Sequence, residues 1–437
     1  MFRPRATLLV VLALVAATGC QIGSSSAPPA APVPQAPGAP PAVAPGVPAV
    51  PPLTMATDPA FSGERAMRSV EQLAAVFGSR PAGSENYTKA ATWAAEQLRA
   101  MGYTVERQTF SFDEFQVRRL DASVVAPATK LEAIALNNSG SGDVTAALVR
   151  AGIGRESDFP AGIAGKVALI ERGTITFQEK VERATAAGAA GVVIYNNEAG
   201  LIQPSLGEVA KIPAIFISRD DGRRLADQIA RGPVELHLLV DARPETIRSE
   251  NVIATRAGSS DGIVVVGGHL DSVAEGPGGN DNASGSATVL ELARAMAGTP
   301  VSAQLRFVLF GAEENGLIGS RYYVSRLSDA EKERMLGMIN LDMVGIDLRL
   351  SAAGAPRLTA PAREKAAELG RQLPEATNAG GGSDHASFAR AGIPTIFFFT
   401  GLDENYHQKG DLARYIQPDT LQLVGEVALH VLRSVAA

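Results

Sequence analysis

Short, almost wholly apolar runs recur along the second half of the chain, and segments with helical periodicity separate them. The runs are NVIAT, GIVVVGG, LRFVLF, MINLDMV and TIFFF, and the helical segments include SATVLELARAMA and DTLQLVGEVALHVLRSV. Near-continuous apolar strands that alternate with helices are typical of a parallel sheet buried on both faces. The pattern therefore predicts an α/β fold, with a mostly parallel central sheet and helices on both of its faces.

Two segments with other sequence patterns precede this part of the chain. From residue 61 to about 112, SVEQLAAVF and NYTKAATWAAEQLRAMG have helical spacing, and YTVERQTFSF then alternates like a strand. From 120 to 243 the chain changes to short strands (KVALIER, GVVIYNN, PAIFIS) around one helix, TFQEKVERATAAGA, with frequent glycines. This middle segment is either a separate small β-rich domain or one more βα unit of the surrounding fold.

The N-terminus carries a targeting signal rather than part of the fold. Arg3 and Arg5 precede the apolar run ATLLVVLALVAA, and small residues follow up to Cys20, the single cysteine of the chain. This arrangement predicts a signal peptide over residues 1–20, because the apolar run is too short to span a membrane comfortably. The stretch AATGC resembles a bacterial lipobox, which implies lipidation of Cys20. The alternative is an ordinary signal peptide with an incidental cysteine.

Residues 21–60 are dominated by Ala, Pro, Gly, Ser and Val, a composition that predicts a disordered, semi-rigid tether. A tether behind a lipidated cysteine would hold the folded part close to a membrane. We therefore predict an exported lipoprotein of the cell envelope, at the outer membrane or the cell surface. A periplasmic or secreted protein is the alternative.

Charge narrows the range of partners. The chain has 437 residues, enough for two or three domains, and a formal net charge of −6. This net charge, with no basic patch in the sequence to reverse it, argues against a nucleic-acid partner.

Acids and histidines concentrate in short stretches that follow the predicted strands. These stretches are HLDS, GPGGNDNASG, FGAEENGLIGS, NLDMVG and YHQKGD, and their polar residues are His269, Asp271, Asp281, Glu313, Glu314, Asp342, His407 and Asp411. Two histidines and three carboxylates at strand ends form a set of N and O ligands suited to zinc or to a similar divalent ion. Because one ion needs only three or four ligands, five ligands suggest a pair of metal ions that share a bridging carboxylate. Asp281 suits the bridge because its loop is rich in glycine.

The neighbouring acids Glu313 and Glu314 have a chemical explanation. Consecutive side chains point in different directions, so the two acids need not bind the same ion. One of them can bind a metal ion while the other acts as the general base that deprotonates the attacking water. Two solvated acids in a loop are the alternative, which explains the doublet less well.

Six motifs in order (GGHLDS, GGNDNASG, FGAEENGLIGS, NLDMVG, SDHASF and YHQKGD) resemble the secreted dinuclear-zinc aminopeptidase family. Glutamate carboxypeptidases, glutaminyl cyclases and the transferrin receptor ectodomain share its fold. The resemblance extends from residue 61 to the C-terminus and includes FGSRPAGSE. The stretch from GKVALIER to GVVIYNN resembles the protease-associated domain. The resemblance implies a discontinuous zinc peptidase domain, 61–119 and 244–437, with a protease-associated insert over 120–243.

The resemblance also implies the ligand set. His269 and Asp342 match the ligands of one zinc ion, and Glu314 and His407 match those of the other. Asp281 matches the carboxylate that bridges the two ions.

Other matched positions carry implied roles outside the ligand set. Glu313 matches the general base, and Asp271 matches the acid that orients the histidine ligand. Tyr406 stands where some relatives have a tyrosine that stabilises the oxyanion, and a packing tyrosine is the alternative. Asp384 and His385, in SDHASF, are expected to line the pocket rather than to bind metal.

The implied activity is zinc-dependent removal of N-terminal residues from peptides. A carboxypeptidase or dipeptidase on the same metal centre is the first alternative. A catalytically inactive surface binding protein is the second alternative, although the complete ligand set and the general base argue against it.

Overall fold

The computed structural model describes residues 58–346, 349–374, 376 and 380–437. The predicted signal peptide, Cys20 and all but the last three residues of the predicted tether lie outside the described residues. Within the described part, no helix combines the length and the apolar character that a membrane crossing requires.

The strands of the described residues share one continuous hydrogen-bonded network. In chain order they are β1 (Thr104–Val124), β2 (Thr129–Lys130), β3 (Ala133–Ala135), β4 (Gly142–Arg150), β5 (Val167–Glu171), β6 (Gly191–Tyr195), β7 (Ala214–Ile217), β8 (Glu235–Arg256), β9 (Ile263–His269), β10 (Gln304–Phe310), β11 (Met335–Leu341), β12 (Ser351–Gly354) and β13 (Thr395–Phe399).

The α-helices of the described residues follow the periodic segments of the sequence. They are α1 (Gly63–Val70), α2 (Glu85–Ala100), α3 (Phe177–Ala186), α4 (Arg219–Arg231), α5 (Gly285–Met296), α6 (Ile318–Ser325), α7 (Asp329–Arg334), α8 (Pro356–Glu368), α9 (His385–Arg390) and α10 (Pro418–Ala436). Side-chain caps begin several of them. Ser84 accepts a hydrogen bond from the backbone N–H of Tyr87, and Thr176 forms a capping box with Glu179.

The sheet of the peptidase part has a parallel centre with antiparallel margins. Strands β13, β11, β9 and β10 are parallel neighbours in that order, whereas β12 and β8 pair antiparallel at either side. Alternate residues of β9 enter different cores. Val264 and Val266 pack with helices α1, α2, α5, α8 and α10, and Ile263 and Val265 pack with α6 and α9. The predicted mostly parallel sheet with helices on both faces is confirmed.

The middle segment forms its own β-rich module with helices α3 and α4. Strands β4, β5, β6 and β7 run parallel, and β3 closes the edge next to β7. Two apolar clusters of its own lie on its two faces. The predicted domain boundaries at 120 and 243 fall within β1 and β8, because these two long strands run through both parts of the molecule.

Candidate active site

The acids and histidines meet at the carboxyl ends of three neighbouring parallel strands. His269 is the last residue of β9, Asp342 directly follows β11, and Glu313 follows β10 by three residues. Ligand sites of α/β sheets gather at this edge, since loops leave the strands there. The loop before α5 brings Asp281 to the same place, and the loop before α10 brings His407.

Asp281 touches both histidines, one with each carboxylate oxygen. Its Oδ1 lies 3.1 Å from Nε2 of His269, and its Oδ2 lies 3.2 Å from Nε2 of His407. On one side, His269 Nε2 is 3.3 Å from Oδ1 of Asp342. On the other side, His407 Nε2 is 3.0 Å from Oε2 of Glu314. The cluster therefore has two halves with Asp281 between them.

This cluster fits divalent cations. Ligand atoms of His269, Asp281 and Glu314 lie within 4.8 Å of one another, and so do those of His269, Glu313 and Asp342. Among the described residues, Glu314 also has a buried Oε1 atom without a hydrogen-bond partner. A buried carboxylate oxygen without a partner is destabilising unless a cation or proton compensates it. Nitrogen and carboxylate donors of this kind are those that zinc prefers.

The cluster concentrates negative charge in a buried place. Burial raises the pKa of Glu313 well above its usual range and that of Glu314 to about 7. Burial opposes the charged histidines, yet Asp281 and Glu314 raise the pKa of His407 to about 10. For His269, Asp342 and Glu313 overcome the same effect of burial and raise the pKa. The protein groups thus favour bound positive charge at this position.

Asp271 holds the backbone of the acidic doublet, Glu313–Glu314. Its Oδ1 accepts a hydrogen bond from the N–H of Glu313, and its Oδ2 accepts one from the N–H of Glu314, both at 3.2 Å. The Nδ1 atom of His269 is 3.2 Å from the carbonyl oxygen of Asp271 and 3.7 Å from its Oδ1. Asp271 therefore contacts His269 mainly through its main chain and contacts the doublet through its carboxylate.

Two residues that support the site received no role from the sequence. Asp411 accepts hydrogen bonds from the N–H groups of Asn280 and Asp281 at 2.7 and 3.0 Å, so it holds the bridging loop as Asp271 holds the doublet. Arg80 is fully buried, and its guanidinium donates to main-chain carbonyls near both loops. The motifs YHQKGD and FGSRPAGSE contained both residues, but a motif does not tell a supporting residue from a surface one.

Several residues that flank the ligands adopt left-handed backbone conformations. Ala312, Met343 and His407 have φ values of 56°, 53° and 57°. Residues other than glycine adopt this region uncommonly, and such residues cluster at functional sites. Ala312 precedes the doublet, Met343 follows Asp342, and His407 is itself a candidate ligand. These left-handed positions therefore occur where the loops turn into the cluster.

A cavity of about 240 Å³ opens onto the cluster. Its lining is acidic on the side of the cluster and apolar elsewhere, and the described lining residues are Asp281, Glu313, Glu314, Asp342, Met343, Gly380, Gly381, Gly382, Phe397, Phe399, Leu402, Tyr406 and His407. The ring of Tyr406 stacks on that of His407, with centroids 3.8 Å apart. The acids of the cluster thus lie at one side of a small cavity that is otherwise mainly apolar.

The remaining predicted residues lie outside the ligand groups. Asp384 and His385 are buried, and the His385 ring stacks on Phe397, whose side chain lines the cavity. Both carboxylate oxygens of Asp384 are buried without a hydrogen-bond partner. Of the two histidines outside the motifs, His237 is 2.9 Å from an aspartate on β4, and His430 lies on α10.

Both parts of the chain resemble known proteins. Residues 251–432 match the model of peptidase family M28, and residues 142–225 match that of the PA domain. An aminopeptidase of Bacillus subtilis, YwaD, is 33% identical over 390 residues, which cover 84% of this chain and 83% of that protein. This chain belongs to peptidase family M28. An aminopeptidase of Pseudomonas aeruginosa is 34% identical over 82% of this chain and 77% of its own length.

Solved structures of aminopeptidases share the fold. The aminopeptidase from Aneurinibacillus sp. strain AM-1 has 35% identity and a TM-score of 0.73, covering 86% of this chain and 94% of its own. A zinc aminopeptidase from Bacillus subtilis has 32% identity and a TM-score of 0.70, covering 85% and 94%. The predicted family, its fold and the inserted protease-associated domain are therefore confirmed. The exact boundaries of the insert stay a prediction.

Proposed function

We propose that this M28 protein is a zinc-dependent aminopeptidase that removes N-terminal residues from peptides. The observation that carries the proposal is the position of Asp281, in contact with both histidines and flanked by Asp342 and Glu314, at one end of a small cavity. The names of the related zinc aminopeptidases support the same activity.

The cluster would hold two zinc ions. His269 and Asp342 would hold the first, Glu314 and His407 would hold the second, and Asp281 would be shared between them. Bound zinc supplies Lewis acidity, which polarises the scissile carbonyl and favours the loss of a proton from the attacking water.

Glu313 acts as the general base in this proposal. Asp271 fixes the backbone N–H groups on both sides of the Glu313 Cα through the two bonds to the doublet, so the carboxylate has a defined position in the cavity. From there Glu313 takes a proton from the attacking water and transfers it to the leaving amine. Tyr406, which lines the same cavity, donates a hydrogen bond from its hydroxyl to the oxyanion that develops on the substrate.

The described lining of the cavity offers no lysine or arginine side chain for a terminal carboxylate. Four of its described lining residues are acids (Asp281, Glu313, Glu314 and Asp342), and none of those described is lysine or arginine. Two bound zinc ions would offset the charge of these four carboxylates, so the acids alone do not choose between the two ends of a peptide. A carboxypeptidase needs a positively charged side chain to bind the terminal carboxylate, and the described lining offers neither lysine nor arginine for this role. The lining therefore supports an aminopeptidase over the carboxypeptidase alternative, and the complete set of ligands and base argues against an inactive binding protein.

We also propose that the protein is exported and anchored by lipidation of Cys20, with residues 21–60 as the tether to the membrane. The lipobox-like AATGC and the Pro/Ala-rich composition support this proposal. Cys20→Ser should move the protein from the membrane fraction to the soluble fraction of the cell envelope. An unchanged distribution would support the periplasmic or secreted alternative.

The activity is tested with leucine p-nitroanilide and its N-acetylated form. We expect cleavage of the free-amine substrate alone, loss of cleavage after treatment with a chelator, and recovery when zinc is added. Cleavage of both substrates would contradict an aminopeptidase, and full activity in the presence of an effective chelator would contradict a zinc enzyme. A zinc-loaded protein that cleaves neither should be assayed with peptides that have a free C-terminus.

A further inference from the structure

The two long strands β1 and β8 form an interdomain ribbon, and its two ends pack in the cores of the two parts of the molecule. They pair from Thr104 opposite Thr255 to Val124 opposite Leu236. At one end, Val252 and Ala254 belong to the main core of the peptidase part. At the other end, residues of both strands belong to a core of the inserted domain, namely Ala122, Val124, Leu236, Leu238, Val240 and Ala242. The ribbon therefore connects the core of the inserted domain to the core of the peptidase part.

The regular pairing of the ribbon breaks at one point between these two ends. The register shifts between Val117 and Arg119, as in a β-bulge. Bulges bend a strand and increase its local twist. The segment of β1 before the bulge belongs to the peptidase part, and this segment approaches the catalytic doublet.

Glu114, three residues before the bulge, touches the loop of the doublet. Its carboxylate accepts hydrogen bonds from the side-chain amides of Asn315 and Gln116. Asn315 directly follows Glu314. The face of β1 that carries Glu114 also contacts α6, because Phe110 packs on Tyr322 with ring centroids 5.5 Å apart. The ribbon thus lies along the catalytic loop and the helix that follows it.

The loop that carries the doublet is held from two directions. Its backbone is fixed by Asp271, as described above, and the carbonyl of Glu313 accepts bonds from the N–H groups of Gly316 and Leu317, both at 2.8 Å. Asn315 lies within this turn, and its side chain is bonded to Glu114. Because Glu114 is half-buried, solvent competes only partly for this bond.

We propose that Glu114 is a positioning residue for the catalytic doublet, through which the ribbon that carries the inserted domain sets the position of Glu313. The proposal rests on the proposed function, because it assigns Glu313 as the general base. A small misplacement of a catalytic group lowers the rate steeply without abolishing substrate binding. Loss of the bond between Glu114 and Asn315 should therefore lower kcat rather than raise KM.

The test compares Glu114→Ala, Asn315→Ala and the double variant in the full chain, with leucine p-nitroanilide as the substrate. We expect each single variant to lower kcat by about tenfold, which is the effect of one charge-assisted hydrogen bond. The double variant should be no worse than either single variant, and KM should stay within about twofold because the cavity is intact. Glu114→Gln keeps an acceptor for Asn315 and should retain most of the activity.

The matched control is Glu245→Ala, because Glu245 lies directly opposite Glu114 across the ribbon. Its carboxylate pairs with Arg118 and Arg243 and not with the catalytic loop. This control should leave kcat unchanged, and melting temperature and zinc content are measured for every variant. Tenfold effects that multiply in the double variant, or an equal loss of kcat in Glu245→Ala, would overturn the positioning role.

Glu313→Gln, assayed in parallel, separates this proposal from the proposed function. If Glu313→Gln is inactive and Glu114→Ala has the kcat of the wild type, only the positioning role is wrong. If Glu313→Gln keeps the kcat of the wild type, the general base itself is wrong.

Discussion

The buried guanidinium of Arg80 should be essential both for stability and for zinc binding. Burial lowers the pKa of Arg80 to about 10, while Asp271 and other nearby acids oppose this shift, so the group is charged at pH 7. Its side chain is fully buried and donates to five main-chain carbonyls, those of Leu73, Gly78, Leu270, Pro277 and Gly278. Leu270 directly precedes Asp271, and Pro277 and Gly278 precede Asp281 in its loop, so one side chain ties both loops to the segment after α1.

Arg80→Lys keeps the positive charge, but the lysine ammonium has only three N–H donors, whereas the guanidinium has five in a rigid fork. At least two buried carbonyls lose their partner, and each loss is destabilising by about 1 to 3 kcal/mol. We therefore expect Arg80→Lys to lower the free energy of unfolding by about 2 to 4 kcal/mol. The loosened loops should also weaken zinc binding by about 10- to 100-fold, as the loss of residues that orient ligands commonly does.

Urea denaturation measures the stability, and competition with a chromophoric chelator measures the zinc affinity. Arg294→Lys is the matched control, because Arg294 is also buried and donates to the carbonyls of Asp58 and Ala60 and to Glu291. This control should be destabilised with its zinc affinity unchanged. If Arg80→Lys matched the wild type in both measurements, the supporting role of Arg80 would be refuted. An equal loss of zinc affinity in both variants would refute the link to the two loops.

Three further predictions follow from single contacts. Asp411→Ala frees the backbone N–H of Asp281 and should weaken zinc binding by about 10- to 100-fold in the same chelator assay, with Asp411→Asn less affected. Gly311→Ala places a Cβ 2.5 Å from the carbonyl oxygen of Glu250, so it should lower kcat by displacing the loop of the doublet; an unchanged kcat would contradict the close packing. Burial opposes the ionised form of Glu331, but hydrogen bonds from an arginine and a serine lower its pKa to about 2, below about 4.3 in the unfolded chain. The ionised Glu331 side chain therefore stabilises the fold above about pH 4.3, and this stabilisation is lost as the pH falls through about 2. Glu331→Gln should lower the free energy of unfolding by about 1 to 2 kcal/mol at pH 7, and thermal unfolding should show that this difference vanishes near pH 2.

The sequence predicted the elements that depend on local patterns. Apolar strands such as LRFVLF lie in the sheet because their residues are buried on both faces, and the polar residues after them necessarily meet at one edge. For that reason the sequence predicts that the proposed ligands His269, Asp281 and Asp342, each tied to a strand end or a glycine-rich loop, lie close together.

The parts that the sequence did not predict depend on contacts between distant segments. Asp271 was expected to orient His269, which it contacts, and the sequence did not predict that its carboxylate also bonds the backbone of the doublet, 42 and 43 positions away. Arg80 and its carbonyl partners are up to 198 positions apart. No periodicity encodes such pairs. The contact of Glu114 with Asn315 likewise depends on the length of β1. The sequence predicted a strand of ordinary length, whereas β1 extends through both domains as part of the ribbon.

The most direct test of the account is a parallel measurement of zinc content and kcat in the wild type and in Glu313→Gln. Two zinc ions per chain are predicted in both proteins, because Glu313 is not assigned as a ligand. The kcat for leucine p-nitroanilide should fall by about 10²- to 10⁴-fold in the variant, the usual contribution of a general base. A variant with full zinc content and the kcat of the wild type would contradict the assignment of Glu313, and a variant that lost its zinc would make Glu313 a ligand instead.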